Sequence, residues 1–207
     1  MAEPNIFMLC EQVNKAAFGI MPDGFATRLI RMDELAFWKR MHFDDDYASH
    51  ARFMDTFFDG VYAPEIGMFF RSCLMVADKN DVPVGSCFVW KAYGTVNTIH
   101  WFKVLRGYEG LGIGRALFTE VMGGIPPDGY PVLLHTQPSS NRAIKLYTDF
   151  GFTVLTDAKV GFRKNDIEEC LPLLKDTMPE RDFGNLQFSS APSGFLDLLE
   201  NQIIDEF

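Results

Sequence analysis

Between Trp101 and Leu117 the sequence WFKVLRGYEGLGIGRAL runs from a strand-like stretch through a glycine-dense turn directly into a helix-like one. The first amides of a helix have no internal partner, and the aligned peptide dipoles place partial positive charge there, so a phosphate or diphosphate suits such a turn. Gly110, Gly112 and Gly114 let an anion approach the main chain and permit conformations barred to residues with a Cβ. A P-loop needs Gly-Lys followed by Ser or Thr, but Gly114 is followed by Arg115 and Ala116. A dinucleotide fingerprint starting at Gly110 needs a third glycine where Arg115 stands. Both fail on spacing, which leaves a diphosphate turn of another kind or an ordinary strand-to-helix turn without a ligand. Arg106 and Arg115 flank it and could meet phosphates or only water.

The next chemistry-bearing stretch is LLHTQPSSNRAIKLYTDFGF, in which Asn141 opens a helix-like run, Tyr147 follows and Gly151-Phe152 ends it. Read alone, Asn141 is a favoured helix-start residue. Tyr147 shares a helical face with Ala143, Ile144 and Phe150, so core packing is the plain reading of its ring. His100 and His135 titrate near neutrality and are candidates to accept a proton, with hydrogen-bonded packing as the duller alternative for each. No Ser or Cys stands in a recognisable nucleophile setting. His42, Asp44, Asp45, Asp46 and His50 form the one cluster that a metal could be argued for, but acidic turns between helices are ordinarily solvated, and no metal is expected.

Taken together, the two stretches resemble the GNAT superfamily, the general N-acetyltransferases that use acetyl-coenzyme A. The family's pattern is Gln or Arg, two residues, Gly, one residue, then Gly or Ala, placed after a strand that often ends in valine. Val104, Tyr108, Gly110, Gly112, Ile113 and Gly114 fall in register with it, followed by the Asn141, Tyr147 and Gly-Phe arrangement. Glu109 departs from it, placing a carboxylate where Gln or Arg is usual. The likeness spans roughly Phe25 to Leu155 and is strongest from Trp101 to Phe152. It implies that Val104, Glu109, Gly110, Leu111, Gly112, Ile113, Gly114, Arg115 and Asn141 contact acetyl-coenzyme A. It also implies that Tyr147 is the general acid toward the departing thiolate, and that a backbone N–H near Val104 faces the oxyanion. A phenol with a reference pKa near 10 and a thiol near 8.5 are close enough for that proton transfer. The base is left to His100 or His135, with Glu109 a weaker candidate.

The implied reaction is direct attack in a ternary complex by a primary amine of a small molecule or peptide on the acetyl group. The alternative is a catalytically inactive coenzyme A-binding regulatory module of the same fold. The implied fold is α/β (α+β): a mixed, mostly antiparallel sheet with helices on both faces and a V-shaped splay between the fourth and fifth strands, Val96–Leu105 and Val132–Thr136.

The elements that must position these residues are readable from punctuation and periodicity. A helix is expected over Ile6–Phe18, ended by Gly19 and the Met21–Gly24 turn, as a helical extension spanning about residues 1–24. Then come a strand at Phe25–Arg31, a helix at Asp33–Met41 with Leu35, Trp38 and Met41 on one face, and a helix at Ala48–Val61 with Phe53, Phe57 and Val61 in line. Met68–Ala77 and Val84–Trp90 read as a hairpin, Val96–Leu105 as a third strand. Gly112–Met122 and Ser140–Phe150 read as helices on either side of the strand Val132–Thr136, and Phe152–Leu155 begins another strand. Ile167–Leu173 is a short apolar run. A last strand is expected in Phe183–Phe188, and a helical tail over about 190–207 carries a stripe of Phe195, Leu198, Leu199, Ile203 and Phe207, for packing on its own domain or for a homodimer.

The 207 residues fit one domain with terminal extensions, and 47% hydrophobic residues with 20 Phe exclude disorder as the main state. Nineteen basic against 28 acidic residues give a net charge of −9, which argues against a nucleic-acid partner and favours a cationic one. Cys10, Cys73, Cys87 and Cys170 form no CxxC pair and read as reduced. No leader or membrane-spanning stretch is expected, so the location is taken as cytoplasmic.

Overall fold

The computed structural model of the protein describes residues 3–161, 163–200, 202 and 206. Its strands are β1 (Ile6–Cys10), β2 (Phe25–Leu29), β3 (Leu74–Asp78), β4 (Pro83–Ala92), β5 (Val96–Val104), β6 (Val132–Thr136), β7 (Thr153–Leu155), β8 (Lys159–Val160), β9 (Arg163–Lys164) and β10 (Phe188–Ser189). The α-helices are α1 (Leu35–Met41), α2 (Tyr47–Phe57), α3 (Ile66–Ser72), α4 (Ile113–Gly123), α5 (Asn141–Asp149), α6 (Ile167–Thr177) and α7 (Glu180–Gly184). Eight strands form one sheet in the order β10-β7-β1-β6-β5-β4-β3-β2, while β8 and β9 pair as a separate ribbon. Pairing is antiparallel except between β5 and β6 and between β10 and β7. Mixed, mostly antiparallel pairing is the fold that the sequence led one to expect.

Alternation along the strands divides the core into two. On one face Ile6, Met8, Val132 and Leu134 pack with Ile113, Leu117 and Phe118 of α4, Ile144 and Tyr147 of α5, and Cys170 and Leu174 of α6. On the other, Phe7, Leu9, Phe88 and Leu133 pack with Trp38 and Met41 of α1, Met54 of α2 and Phe69 of α3. Along α4, Ala116, Leu117, Val121 and Met122 are all buried. Trp38 is wholly buried and donates its indole N–H to Ser86 Oγ at 2.9 Å, which satisfies the one polar atom that its burial would otherwise strand.

Several sequence expectations are corrected. The N-terminal helix over Ile6–Phe18 is absent: Ile6–Cys10 is a strand in the middle of the sheet, antiparallel to β6 and to β7, with all five residues buried. Five consecutive apolar residues suit a strand covered on both faces and give a helix no polar side. The downstream part keeps only a 3₁₀ turn at Lys15–Ala17, where Asn14 accepts from the Ala16 N–H at 3.2 Å. The strand expected from Met68 begins later, because Ile66–Ser72 is helical and buries Phe69 against Trp38. Phe53 is 54% exposed, and Met54 and Phe58 face inward instead. The last strand is only Phe188–Ser189, with Glu180–Gly184 helical before it. Of the C-terminal stripe, Phe195 and Leu199 pack into this chain's own core around a 3₁₀ turn at Leu196–Leu199, after which Glu200 is extended. Ile203 and Phe207 lie outside the described residues.

Two irregularities shape the centre. β4 and β5 pair with a bulge, so that Ser86 faces Lys103 but Phe88 faces His100, and Trp101 takes a left-handed φ of 50°. The extra residue breaks the alternation: His100 and Trp101 both project toward the α1–α3 face, and Phe102 and Val104 return to the α4–α5 face. β5 and β6 pair only at Asn97 with Val132 and Thr98 with Leu133, although β5 continues to Val104 and β6 to Thr136. The two strands therefore part, and the splay falls between the pair expected.

Candidate active site

At the turn after β5, Gly110 and Gly112 take φ values of 78° and 88°, and Gly112 caps α4. Regular helical bonding begins with the Ala116 N–H donating to Gly112 O at 3.1 Å. Among the described residues, the N–H groups of Gly110 through Arg115 meet no protein acceptor. The turn is open: a Cβ at Gly110 would have no neighbour within 4 Å, and at Gly112 only Pro22 Cγ at 3.7 Å. Unpaired amides, a helix N-terminus and empty space in front of them fit a diphosphate.

The charges around this turn differ from expectation. Arg115 turns away, pairing with Asp149 at 2.6 Å and donating to Ala17 O at 2.9 Å, so it offers the turn its N–H and not its guanidinium. Arg106 is paired with Asp44 at 3.2 Å. The cation at the turn is Arg142 of α5, which the sequence reading passed over; it meets Glu109 at 2.8 Å with its side chain 82% exposed. Such an exposed pair is worth less than about 1 kcal/mol, so removing its acid releases a cation at small cost. Glu109→Gln is expected to tighten coenzyme A binding by up to about fivefold without changing thermal stability, as read by isothermal titration; an unchanged affinity would show that Arg142 does not reach the ligand. Asn141 opens α5 as expected, but its amide donates to Thr177 O at 3.3 Å, beside a cavity of about 410 Å³ that Lys145, Met178 and Pro179 also line.

Tyr147 lies on the α4–α5 face with its ring among Phe102, Phe118 and Phe152, at centroid distances of 6.0, 5.2 and 5.8 Å. Its hydroxyl makes no hydrogen bond to the described protein residues. Burial, with Cys87 nearby, pushes its ionisation well above the usual value for a phenol, so the proton stays on the oxygen and the group is a donor. On the same strand, Leu105 N–H donates to Val84 O at 2.8 Å. Alternation in an antiparallel pair then turns the Val104 N–H the other way, toward the edge of β5 that parts from β6.

The two histidines stand on the opposite face. Extending the β5–β6 register beyond Thr98 and Leu133 places His100 level with His135, where the strands have separated. His100 is 4% exposed, with Tyr62 Oη hydrogen-bonded to its Nδ1, and Trp101 Nε1–H donates to the same Tyr62 oxygen at 2.9 Å. Tyr62 is delivered by a π-turn, Phe58–Tyr62, that continues α2. Neither Tyr62 nor Trp101 was singled out from the sequence; the available signal was that a buried tyrosine hydroxyl requires a partner. The half-buried His135 has Nε2 occupied by the Arg163 guanidinium, which donates at 3.1 Å. Burial comes first among the causes that lower both histidines to about 3, with Arg163 contributing to each. The gap is thus bordered by a phenol on one face and two neutral imidazoles on the other, with the amide turn at its end.

The Acetyltransferase (GNAT) family profile matches residues 33–152, more than half of the chain and including the splay, the turn and Tyr147. The chain belongs to that family. Among solved structures, this GNAT chain is similar to a GCN5-related N-acetyltransferase from Sphaerobacter thermophilus, at 21% identity and TM-score 0.52, covering 74% of this chain and 49% of that one. It is likewise similar to a GNAT-family acetyltransferase from Colwellia psychrerythraea, at 12% identity and TM-score 0.52, covering 74% and 53%. A third, Arabidopsis thaliana Naa50 in complex with the bisubstrate analogue CoA-Ac-MVNAL, aligns at 22% identity and TM-score 0.43 over 69% of this chain and 91% of that one. The chain spans about half the length of the first two structures. No curated protein matches.

In this GNAT fold the α1–α2 connection forms one wall of a cavity of about 460 Å³, lined by Phe37, Met41, Asp45, Tyr47, Leu105 and Arg106. Asp44 is committed to Lys103 at 2.8 Å as well as to Arg106, and His50 stands 3.3 Å from Asp46, whereas Asp45 makes no ion pair among the described residues. His42 is enclosed by Trp38 and Trp101 at ring distances of 4.9 and 4.8 Å and is held at about 3 by burial. The four cysteines are free and buried. Among the described residues no helix is long and apolar enough to cross a membrane, and no group of three acidic, histidine or cysteine side chains is placed to hold a metal.

Proposed function

We propose that the chain works as one domain and is an acetyl-coenzyme A-dependent N-acetyltransferase, taking the primary amine of a small molecule or peptide as acceptor in a ternary complex. What carries this reading is the parting of β5 from β6 beside an open turn of unpaired amides, with a neutral phenol on one side of the gap. The N–H groups from Gly110 to Arg115 would hold the diphosphate, and Arg142 would add a cation at its rim. The Val104 N–H and the exposed edges of β5 and β6 would orient the pantetheine arm. When bound, acetyl-coenzyme A supplies an activated thioester carbonyl. Tyr147, kept protonated by its surroundings, is set to donate a hydrogen bond to the departing sulfur. The cavity with Asp45 at its wall favours an ammonium group approaching from the α1–α2 side. Direct transfer is favoured because all four cysteines are enclosed, and burial raises the thiols of Cys10 and Cys73 to about 12, which suppresses the nucleophilic thiolate.

One observation favours the second reading, a coenzyme A-binding module without turnover: both gap histidines have their basic nitrogens occupied. Thermal stabilisation by acetyl-coenzyme A followed by a panel of amines separates the two, since only the enzyme consumes the thioester. Tyr147→Phe is expected to lower kcat about 100-fold while leaving acetyl-coenzyme A affinity within about twofold. Full turnover in that variant would remove the phenol from the mechanism.

A further inference from the structure

The hydrogen bonds around Tyr62 determine where the proton of His100 sits. An indole N–H can only donate, so the Tyr62 oxygen accepts from Trp101 at 2.9 Å. Tyr62 is wholly buried, and the His100 Nδ1 is the other atom its hydroxyl meets among the described residues. Were that nitrogen protonated, the hydroxyl hydrogen would be left without an acceptor, at a cost that buried groups rarely bear. The hydroxyl therefore donates to Nδ1, and a neutral imidazole that accepts there carries its hydrogen on Nε2. That Nε2 is buried and has no partner among the described residues. It belongs to a side chain on the wall of the gap, two residues past the last β5 residue paired with β6. The bulge that puts Trp101 on the same face as His100, with a left-handed φ at a tryptophan, is what makes the chain of donors possible.

We propose that Trp101 and Tyr62 lock His100 as an Nε2–H donor beside the gap, where it hydrogen-bonds the acyl carbonyl oxygen of a thioester and polarises it, instead of accepting the proton of the amine. The ligand in this assignment rests on the acetyltransferase reading; the protonation of the ring does not. No proton changes place in the step. Tyr62 and Trp101 are positioning residues that act through His100. A neutral histidine is the stronger choice for such a task, because it donates without placing a full charge in an apolar wall.

The test begins with nitrogen-15 NMR of the histidine rings in the ligand-free protein. His100 is expected to be protonated at Nε2 and bare at Nδ1, and Tyr62→Phe to shift it toward the other tautomer; wild-type His100 protonated at Nδ1 would overturn the proposal. Acetyl-coenzyme A labelled with carbon-13 at the carbonyl is expected to shift downfield on binding wild type and to shift less on binding His100→Leu. Equal shifts in the two proteins would also overturn it. Turnover gives the third readout: His100→Leu loses about 100-fold in kcat, whereas His100→Gln, which keeps an N–H donor but cannot serve as a base, stays within about tenfold of wild type. Gln as slow as Leu would sink the donor role. A wild-type protein that acetylates no amine, yet shows the carbonyl shift, would refute the acetyltransferase reading and leave the donor assignment standing.

Discussion

Between pH 7 and pH 5 the protein is expected to lose about 4–6 kcal/mol of stability, an amount comparable to the whole stability of many domains. The cause is three histidines, His42 and His100 enclosed among aromatic rings and His135 half-buried. His42, His100 and His135 are each lowered to about 3, in every case first by burial. In the unfolded chain each returns to about 6.5. Below that value the unfolded state binds protons that the folded state refuses, so the stability contributed by the neutral rings is complete above about pH 6.5 and declines until the folded groups titrate near 3. Each ring costs about 1.4 kcal/mol per pH unit within this window, or about 2 kcal/mol at pH 5. Carboxylates enter only lower down: Glu34, held low first by Arg28, and Asp149, held low by Arg115 and Lys145 against its own burial, release their share as pH falls below the usual carboxylate range. Urea denaturation at pH 7.5, 6 and 5 measures the slope. Stability that is flat from pH 7 to 5 would mean that water reaches these rings, and His42→Phe should remove about a third of the slope by itself.

Replacing Gly112 by valine is expected to weaken acetyl-coenzyme A binding by about 100-fold while costing only about 2 kcal/mol of stability. Gly112 sits at φ 88° and ψ −7°, a region that a β-branched residue enters under strain. There is room for the side chain itself, since a Cβ would meet only Pro22 Cγ at 3.7 Å. Damage to folding therefore stays local, and the loss falls on the amides that Gly112 aims. A hundredfold is about 2.7 kcal/mol, the worth of one or two hydrogen bonds to a charged group. Calorimetric titration of wild type and variant with coenzyme A and with a pantetheine lacking the diphosphate checks the source. The variant should lose its preference for the diphosphate form, and a preference that survives would move the anion site elsewhere.

The turn and the helix carrying Tyr147 were legible because each is local, with glycine positions, helix punctuation and spacing within a few dozen residues, while the parting of the strands came only from the family resemblance that those motifs carry. What escaped reading depends on partners far away in the chain. Ile6–Cys10 carries five apolar residues in a row, which periodicity cannot assign to strand or helix, and only β6 and β7 settle it. Arg115 flanks the turn in sequence, yet its guanidinium is taken up by Asp149 and Ala17 O. Tyr62 falls just past the helix expected at Ala48–Val61 and drew no notice, because its partner His100 lies 38 positions on and the π-turn that aims it leaves no mark on the spacing. His100 and His135 lie on the two strands where the sequence put them, but their protonation is a property of neighbours, Tyr62 and Arg163, that the strands themselves do not name.

The central place of β1 bears on synthesis. Ile6 pairs with Thr136 and Leu9 with Thr153, so this segment leaves the ribosome long before either neighbour exists. For most of translation IFMLC is an uncharged, adhesive ribbon with both edges bare, the kind of segment that chaperones shield. Expression yield should therefore respond to what is fused ahead of residue 6 more than to anything appended behind residue 200.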